Sequence, residues 1–337
     1  MAVIWHHTPG NAAYWDIAQL VRRGHVGVDF FFVLSGFLIT TLLLREECKN
    51  GRIRLSGFYL RRALRILPVY FLVVTAAAFN DIILNGERDK IEILPYYYLF
   101  LANFIRGEDI TFLAPTWSLS VEEQYYLIWP LLLILLPKRA IVPALIILIT
   151  WNVASALGLF NLIGVSGISA GRLYFAIGGA TYAPILLGSL AAVVLHSRSG
   201  FERLAPLTSS RLAPWVLFVA LILSLEFLPP VLEGWPNLIV HGLMTLMLVS
   251  VVVREDNGMN TLLRLKPIVR IGQISYGLYL YHSFARGVTA PILFDQGITS
   301  MWIHLIAFFG LSVLVSEISF RTYEKWFLDM RHKARPA

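Results

Sequence analysis

Cysteine is almost absent from this sequence, and charged residues are scarce. The 337-residue chain has one cysteine, Cys48, and charged residues make up 15% of it. A lone cysteine cannot form an internal disulfide, and no spacing of Cys and His is typical of a zinc site. Soluble domains carry about 25% charged residues. With 57% hydrophobic residues, the composition instead predicts an all-α, polytopic membrane helix bundle without a metal.

The excess of positive charge is not gathered into one face or tail. The formal net charge is +7, and the basic residues lie mostly in short loops between apolar stretches. This distribution is typical of membrane topology and argues against nucleic-acid binding. No repeat or long linker interrupts the chain, which predicts one transmembrane domain over residues 1–330 and a basic tail over 331–337.

Apolar runs of roughly 18 or more residues are long enough to cross a bilayer as helices. Such runs lie near 25–44, 65–84, 116–136, 140–158, 172–195, 213–230, 236–253, 268–286 and 301–321. The apolar segment from Met1 to Thr8 is interpreted as the end of a further span that is truncated at its N-terminus. About ten transmembrane helices are therefore predicted.

The segment 94–105 is too short for a crossing and favours a re-entrant or interfacial position. Without that crossing, the loops that follow alternate spans share one side and carry most of the arginines and lysines. Positive charge is enriched in cytoplasmic loops. These loops and the C-terminus are therefore predicted to be cytoplasmic.

Two adjacent histidines, His6 and His7, end the first apolar stretch. An ionisable side chain inside a membrane segment is costly and is a functional candidate by default. A neutral imidazole can act as a general base. The alternative is an interfacial histidine that bonds a backbone carbonyl, and two adjacent side chains cannot both face the interior of a helix bundle.

Two arginines share a helix face at the start of the span near 65–84. Arg62 and Arg65 are three residues apart, next to Arg61, so two guanidinium groups could contact one polyanionic group such as the phosphates of a nucleotide-containing cofactor. The alternative is that they anchor the helix end to lipid headgroups.

Acidic residues lie near the start of two other predicted spans. Glu122 and Glu123 follow Trp117 and Ser118 at the start of the run 116–136, and Ser118 shares a face with Glu122. They predict either a polar site or an N-terminal helix cap.

Asp29 lies near the start of the run 25–44 and is a candidate for a functional contact. In the same run, the small pair Ser35 and Gly36 is more typical of close helix packing. His282, in an otherwise apolar helix, could line the same cavity as the histidine pair, whereas His241 is interpreted as a packing residue.

Four stretches together resemble the acyltransferase family 3 of integral membrane O-acyltransferases. They are GVDFFFVLSGFLI at 27–39, RRALRILP at 61–68, TWSLSVEEQYY at 116–126 and IGQISYGLYLYH at 271–282. The resemblance implies an enzyme in a bacterial inner membrane that transfers an acyl group, such as acetyl, to a hydroxyl of an envelope glycan or another acceptor. The donor it implies is acyl-CoA, with no tightly bound cofactor.

The resemblance also implies roles for single residues. His7, or else His6, would deprotonate the acceptor hydroxyl, and Glu122 would orient that base or bind the acceptor. Arg62 and Arg65, with Arg61 beside them, would bind the donor. The remaining candidates are substrate-binding positions: Asp29, Ser35, Trp117, Ser118, Glu123 and His282.

Similar proteins carry an arginine further upstream on the first helix, whereas this chain begins six residues before His7. A form that starts at Met1 is therefore expected to be inactive or unstable. Two other functions fit a polytopic protein with ionisable groups: a transporter, which would more typically show paired halves with broken helices, and a non-catalytic scaffold of a glycan-export system.

Overall fold

The computed structural model describes residues 2–9, 19–107, 109–162, 164, 167–176, 182–229, 232 and 234–333. Within these residues the protein is a bundle of helices with one small two-stranded sheet. Of the predicted basic tail, residues 334–337 lie outside the described residues.

The first half of the described chain is helical, with short turns. Its helices are α1 (Ala2–His6), α2 (Gln19–Arg22), α3 (Gly27–Asn50), α4 (Leu55–Ala78), α5 (Leu94–Tyr98), α6 (Thr116–Leu135), α7 (Lys138–Ala156) and α8 (Leu159–Leu162). A π-helix, Phe79–Leu84, extends α4, and 3-10 turns cover Gly24–Val26, Arg88–Glu92 and Ala102–Phe104.

The second half begins with a hairpin, β1 (Gly167–Ala170) and β2 (Leu173–Ala176). The helices that follow are α9 (Ala183–His196), α10 (Arg198–Thr208), α11 (Ala213–Phe227), α12 (Trp235–Val253), α13 (Asn260–Leu263), α14 (Lys266–Gln273), α15 (Ser275–Asp295), α16 (Met301–Ser319) and α17 (Lys325–Lys333). A π-helix, Phe320–Glu324, joins the last two.

The hairpin corrects one predicted span. A helix was predicted from residue 172, but β2 pairs antiparallel with β1 in the register Gly167↔Ala176, and α9 begins only at Ala183. Gly171, with a φ of 60°, supplies the positive φ that a tight hairpin loop requires. The segment 94–105 forms only α5 and a 3-10 turn, and the run 268–286 is divided at Ile274 between α14 and α15.

Five helical runs in the described chain are long and apolar enough to cross a membrane: 24–50, 55–84, 138–156, 235–253 and 301–330. A sixth results if α9 and α10 count as one broken span, with a bend of 110° between the two helices. The predicted count of about ten is not confirmed.

Glycines allow the backbones of α3 and α9 to pack closely against each other. A Cβ at Gly36 of α3 would collide with the carbonyl oxygen of Ile185, and a Cβ at Gly188 of α9 would collide with that of Val33. Small residues are how membrane helices bring their backbones together. The predicted packing role of Gly36 is thus confirmed.

Charged side chains meet at one end of the bundle. There the end of α3 contacts the start of α7 through Glu47 and Lys138, 3.1 Å apart, and Glu46 lies 3.3 Å from Arg61 of α4. Cys48 lies 3.3 Å from His196 at the end of α9. We call this the basic end, because its connecting segments carry most of the arginines and lysines.

At the opposite end, two charged side chains cap each other's helices. The guanidinium of Arg23 donates to the carbonyl oxygens of Leu225 (2.5 Å) and Leu228 (2.9 Å) at the end of α11. In return, the carboxylate of Glu226 accepts from the backbone N–H groups of Gln19 and Leu20 at the start of α2. A cation at a helix C-terminus and an anion at an N-terminus satisfy groups that the helices leave unpaired.

We expect Gly36→Ala to destabilise the protein by roughly 1–3 kcal/mol, because a methyl group there would force two backbones apart. The measurement is the melting temperature of the purified protein in detergent. Gly310→Ala is the matched control, since a Cβ at this helical glycine meets nothing within 4 Å. Equal melting temperatures for the two variants would contradict the role of Gly36.

Candidate active site

The histidine that follows α1 contacts a second histidine from α15. Nδ1 of His7 lies 3.2 Å from Nε2 of His282, although 275 positions separate the two residues. Nδ1 of His282 lies 2.5 Å from the carbonyl oxygen of Tyr279, one turn earlier on its own helix. His282 itself is only 1% exposed. The fold therefore brings together two of the histidines that the sequence singled out.

The carbonyl oxygen of Tyr279 sets the direction of this chain of hydrogen bonds. A carbonyl can only accept, so Nδ1 of His282 carries a proton and donates it. In a neutral His282, Nε2 is then an acceptor, and the proton between the rings belongs to Nδ1 of His7. Neutral His7 is left with an unprotonated Nε2, which is the atom a general base needs.

His6 takes a different direction from His7. Its ring centroid lies 5.4 Å from that of His25, in the turn before α3, and 5.3 Å from that of His7. The two adjacent histidines therefore diverge, as neighbouring positions on a helix must. His7 rather than His6 contacts His282.

Two cavities meet at the histidine pair. The first, of about 370 Å³, is lined by both His7 and His282, and also by Thr111, Phe112, Ser283, Arg286 and Gly287. The second, of about 150 Å³, lies toward α14 and is lined by His282, Ser118, Tyr279 and apolar residues of α1 and α3. The two cavities share His282, whereas His7 lines only the first.

A buried ion pair supports the wall of the first cavity. Asp81, which is fully buried, accepts hydrogen bonds from Nζ of Lys90 and from the backbone N–H of Thr111, both at 2.7 Å. Although burial alone would lower it, the hydrogen bonds to Asp81 and Glu87 raise the pKa of Lys90 above its ordinary value. The pair is therefore charged at neutral pH and fixes the backbone next to Phe112.

Phe112 itself has an unusual backbone conformation, with a φ of 69°, which is uncommon for a non-glycine residue. Its ring packs at a tilt against that of Phe284, with 4.7 Å between the centroids, and lies against Gly287, where a Cβ would collide with it. The absence of a side chain at Gly287 is therefore what lets this ring close the cavity beside the histidines.

A line of polar contacts runs from the second cavity into the bundle. The hydroxyl groups of Ser118 and Tyr279 lie 2.7 Å apart, and both lie 3.0 Å from the carbonyl oxygen of Pro115. One turn further along α6, the carboxylate of Glu122 accepts a 2.6 Å hydrogen bond from Ser35 of α3. Ser35 thus contacts a predicted catalytic residue rather than serving packing alone.

The arginines of α4 approach the same line from the basic end. The guanidinium of Arg62 lies 5.2 Å from the ring centroid of Tyr126 and interacts electrostatically with Glu123 and Glu122. Arg65 is exposed one turn further along, whereas Arg61 pairs with Glu46. Of these three arginines of α4, Arg62 is therefore the one that contacts the polar residues inside the bundle.

Two further predicted residues lie away from the histidine pair. Oδ2 of Asp29 is 3.3 Å from Nε2 of His241, which is 2% exposed, so His241 is packed as expected but also faces a carboxylate. Trp117 packs edge-on against Phe32 at 6.0 Å and lines a third, larger cavity.

Sequence reasoning gave no role to Tyr279, Arg286 and Thr111. Tyr279 and Arg286 lie one turn before and after His282, so the helix-face argument that singled out His282 could have included both. Thr111 lies in a loop before α6 and lines the first cavity, and no local sequence pattern predicts this position.

The sequence of this chain is similar to a known protein family and to curated proteins. A family model described as an acyltransferase domain matches residues 1–320. The peptidoglycan O-acetyltransferase OatA of Listeria monocytogenes is 28% identical over 332 residues, which cover 90% of this chain and 51% of that protein. The O-acetyltransferase OatA of Staphylococcus aureus is 29% identical over 331 residues, which cover 94% of this chain and 54% of that protein.

The chain thus spans about half the length of the curated relatives it matches. No solved structure matches it. The resemblance seen in its four sequence motifs is confirmed by the family match over residues 1–320. The chain belongs to the family of acyltransferase domains that this model defines.

Proposed function

We propose that the protein is a membrane O-acyltransferase that transfers an acetyl group from acetyl-CoA to a hydroxyl of a cell-wall glycan. The relatives named as peptidoglycan O-acetyltransferase and O-acetyltransferase support the reaction class and the acceptor. The observation that carries the proposal is the His7–His282 pair between two cavities. Acyl transfer needs one base in reach of both substrates; His7 lines the first cavity, and the second cavity adjoins it at His282.

In this mechanism, Nε2 of His7 takes the proton of the acceptor hydroxyl. The oxygen then attacks the thioester carbonyl, and the tetrahedral intermediate collapses to the ester and the thiolate of CoA. The imidazolium of His7 returns the proton to that thiolate. His282 holds the ring of His7 through the 3.2 Å contact and is thus a positioning residue. Arg286, which lines the first cavity, is a candidate to stabilise the negative charge that develops on the carbonyl oxygen.

The donor would enter from the basic end. Positive charge is enriched in cytoplasmic loops, so we assign this end and the C-terminus to the cytoplasm of a bacterial cell, where CoA thioesters are made. Arg62 and Arg65 would bind the phosphates of CoA as charge-assisted hydrogen-bond donors. The acyl arm would follow the polar line of Glu122, Ser35, Ser118 and Tyr279 past the second cavity to the histidine pair, so that the thioester carbonyl reaches His7 and Arg286 in the first cavity.

We expect His7→Ala to lower the initial rate of acetyl transfer by roughly 10²- to 10⁴-fold, because it removes the general base. The measurement is transfer of label from radioactive acetyl-CoA to glycan in membrane vesicles, normalised to the amount of folded protein.

His6→Ala is the companion variant. The ring of His6 turns toward His25, so we expect its loss to slow transfer far less than that of His7. If both variants are equally active, the base is not His7. If the folded wild type transfers no label from acetyl-CoA, the donor assignment is wrong.

We expect Arg62→Ala to raise the KM for acetyl-CoA by roughly tenfold or more, since a hydrogen bond between charged groups is worth about 1.5–3 kcal/mol, with a smaller change in kcat. Lys138→Ala is the control at the same end, because its side chain is 80% exposed and pairs only with Glu47 among the described residues. A kcat loss at unchanged KM would assign Arg62 to the chemical step or the fold instead of donor binding.

A further inference from the structure

A third cavity, of about 620 Å³, opens at the end opposite the basic end and has no part in the mechanism above. It lies between the start of α6, the end of α7, the segment 102–106 with Asp109, and the hairpin strand β2. The hairpin is attached to that loop by the backbone, because the N–H of Arg106 donates to the carbonyl oxygen of Arg172 at 3.0 Å. The volume lies within the range of roughly 300–1,000 Å³ that is usual for ligand pockets.

Large aromatic side chains line this cavity and keep part of their surface open. Trp151 is 52% exposed and Trp117 is 39% exposed. Tyr174 of β2 and Tyr182 before α9 contribute two further rings. An aromatic face is apolar and flat, so it suits the C–H faces of a sugar ring.

Amide groups stand beside these rings. Asn103 and Gln124 form two hydrogen bonds with each other, at 2.8 and 3.3 Å, and both groups also contact the hydroxyl of Tyr182. Asn152 lines the cavity too. Within the part of the chain that the structure describes, the one hydrogen bond of its side chain runs from Nδ2 to the carbonyl oxygen of Leu148. Its remaining N–H and its oxygen can therefore serve a ligand with hydroxyl or amide groups.

The charged side chains among the described lining residues balance each other. They are Arg106, whose guanidinium lies over the ring of Tyr174 at 3.2 Å, and Asp109, which accepts from the hydroxyl of Tyr97 at 3.2 Å. One cation and one anion, both already engaged, do not make a binding site for phosphate or for CoA. The lining suits an uncharged ligand.

The cavity also adjoins the candidate active site. Ala114 lines both this cavity and the one that contains His7 and His282. Trp117 lines the third cavity, and the next residue, Ser118, lines the second cavity together with His282. If a glycan binds at the tryptophans, its neighbouring sugars would therefore lie close to the cavities that contain the histidine pair.

We propose that this cavity is a glycan-binding subsite, which holds uncharged sugar residues of the acceptor chain next to the sugar that is acylated. Trp151 and Trp117 stack on the sugar rings, and Asn152 bonds their hydroxyl or acetamido groups. The inference deepens the proposed function and rests on it for the acceptor. The ring of Trp151 also contacts Phe160, at 4.5 Å between centroids. Because an exposed tryptophan at a membrane interface can be a lipid anchor, the test must separate the two roles.

The test uses Trp151→Ala and Trp151→Phe in the full chain, each combined with His7→Ala so that binding is measured without turnover. The probe is the uncharged tetrasaccharide of N-acetylglucosamine, titrated by calorimetry into protein in detergent. We expect Trp151→Ala to weaken its binding by about tenfold, the loss of one aromatic contact, and Trp151→Phe to weaken it less.

Trp235→Ala is the matched control, because Trp235 is 54% exposed at the same end of the bundle, at the start of α12. It should bind the probe as the parent does, and all variants should have the parent's melting temperature. Absence of probe binding, or equal losses for Trp151→Ala and Trp235→Ala, would overturn the subsite. Because binding is read without acetyl transfer, a failure of the proposed activity would appear separately, as a wild type that binds the probe but does not acetylate it.

Discussion

Polar side chains inside an apolar helix bundle must find partners within it, because neither lipid nor packed aliphatic groups can hydrogen-bond to them. This constraint organises the interior of the protein. Ser35 bonds Glu122, Asp29 faces His241, and His7 contacts His282. Each pair joins residues that are distant in the chain, so these contacts also fix how the segments of the bundle are arranged. Ser35–Glu122 and His7–His282 are within hydrogen-bond distance, whereas the ring nitrogens of His241 have no hydrogen-bond partner among the described residues.

The same constraint determines which ring nitrogens of the histidine pair donate hydrogen bonds and which accept them. A backbone carbonyl accepts from His282, so the proton positions follow outward to His7 and leave one nitrogen available as a base. A backbone group of a neighbouring helix thus sets the positions of the protons in the pair.

The two ends of the bundle differ in chemistry. One carries arginines and lysines, with Arg62 reaching inward to Tyr126 and the paired glutamates. The other carries the capped ends of α2 and α11, the hairpin and an aromatic cavity whose charges are balanced. This polarity suits an anionic donor on one side and an uncharged acceptor on the other, with the histidine pair between them.

Composition and local pattern were sufficient to predict a helical membrane protein, its family and the residues with candidate roles, because hydropathy, charge and short motifs are local properties. Helix limits were predicted well where apolar runs are continuous, as for α6 and α12, but not where Gly171 forms the turn of a hairpin next to an apolar stretch. The sequence by itself determined which ionisable groups enter the bundle. Only the tertiary structure decided that His7 meets His282, that Arg61 turns to Glu46, and that Trp117 faces a cavity, because those contacts join residues distant in the chain.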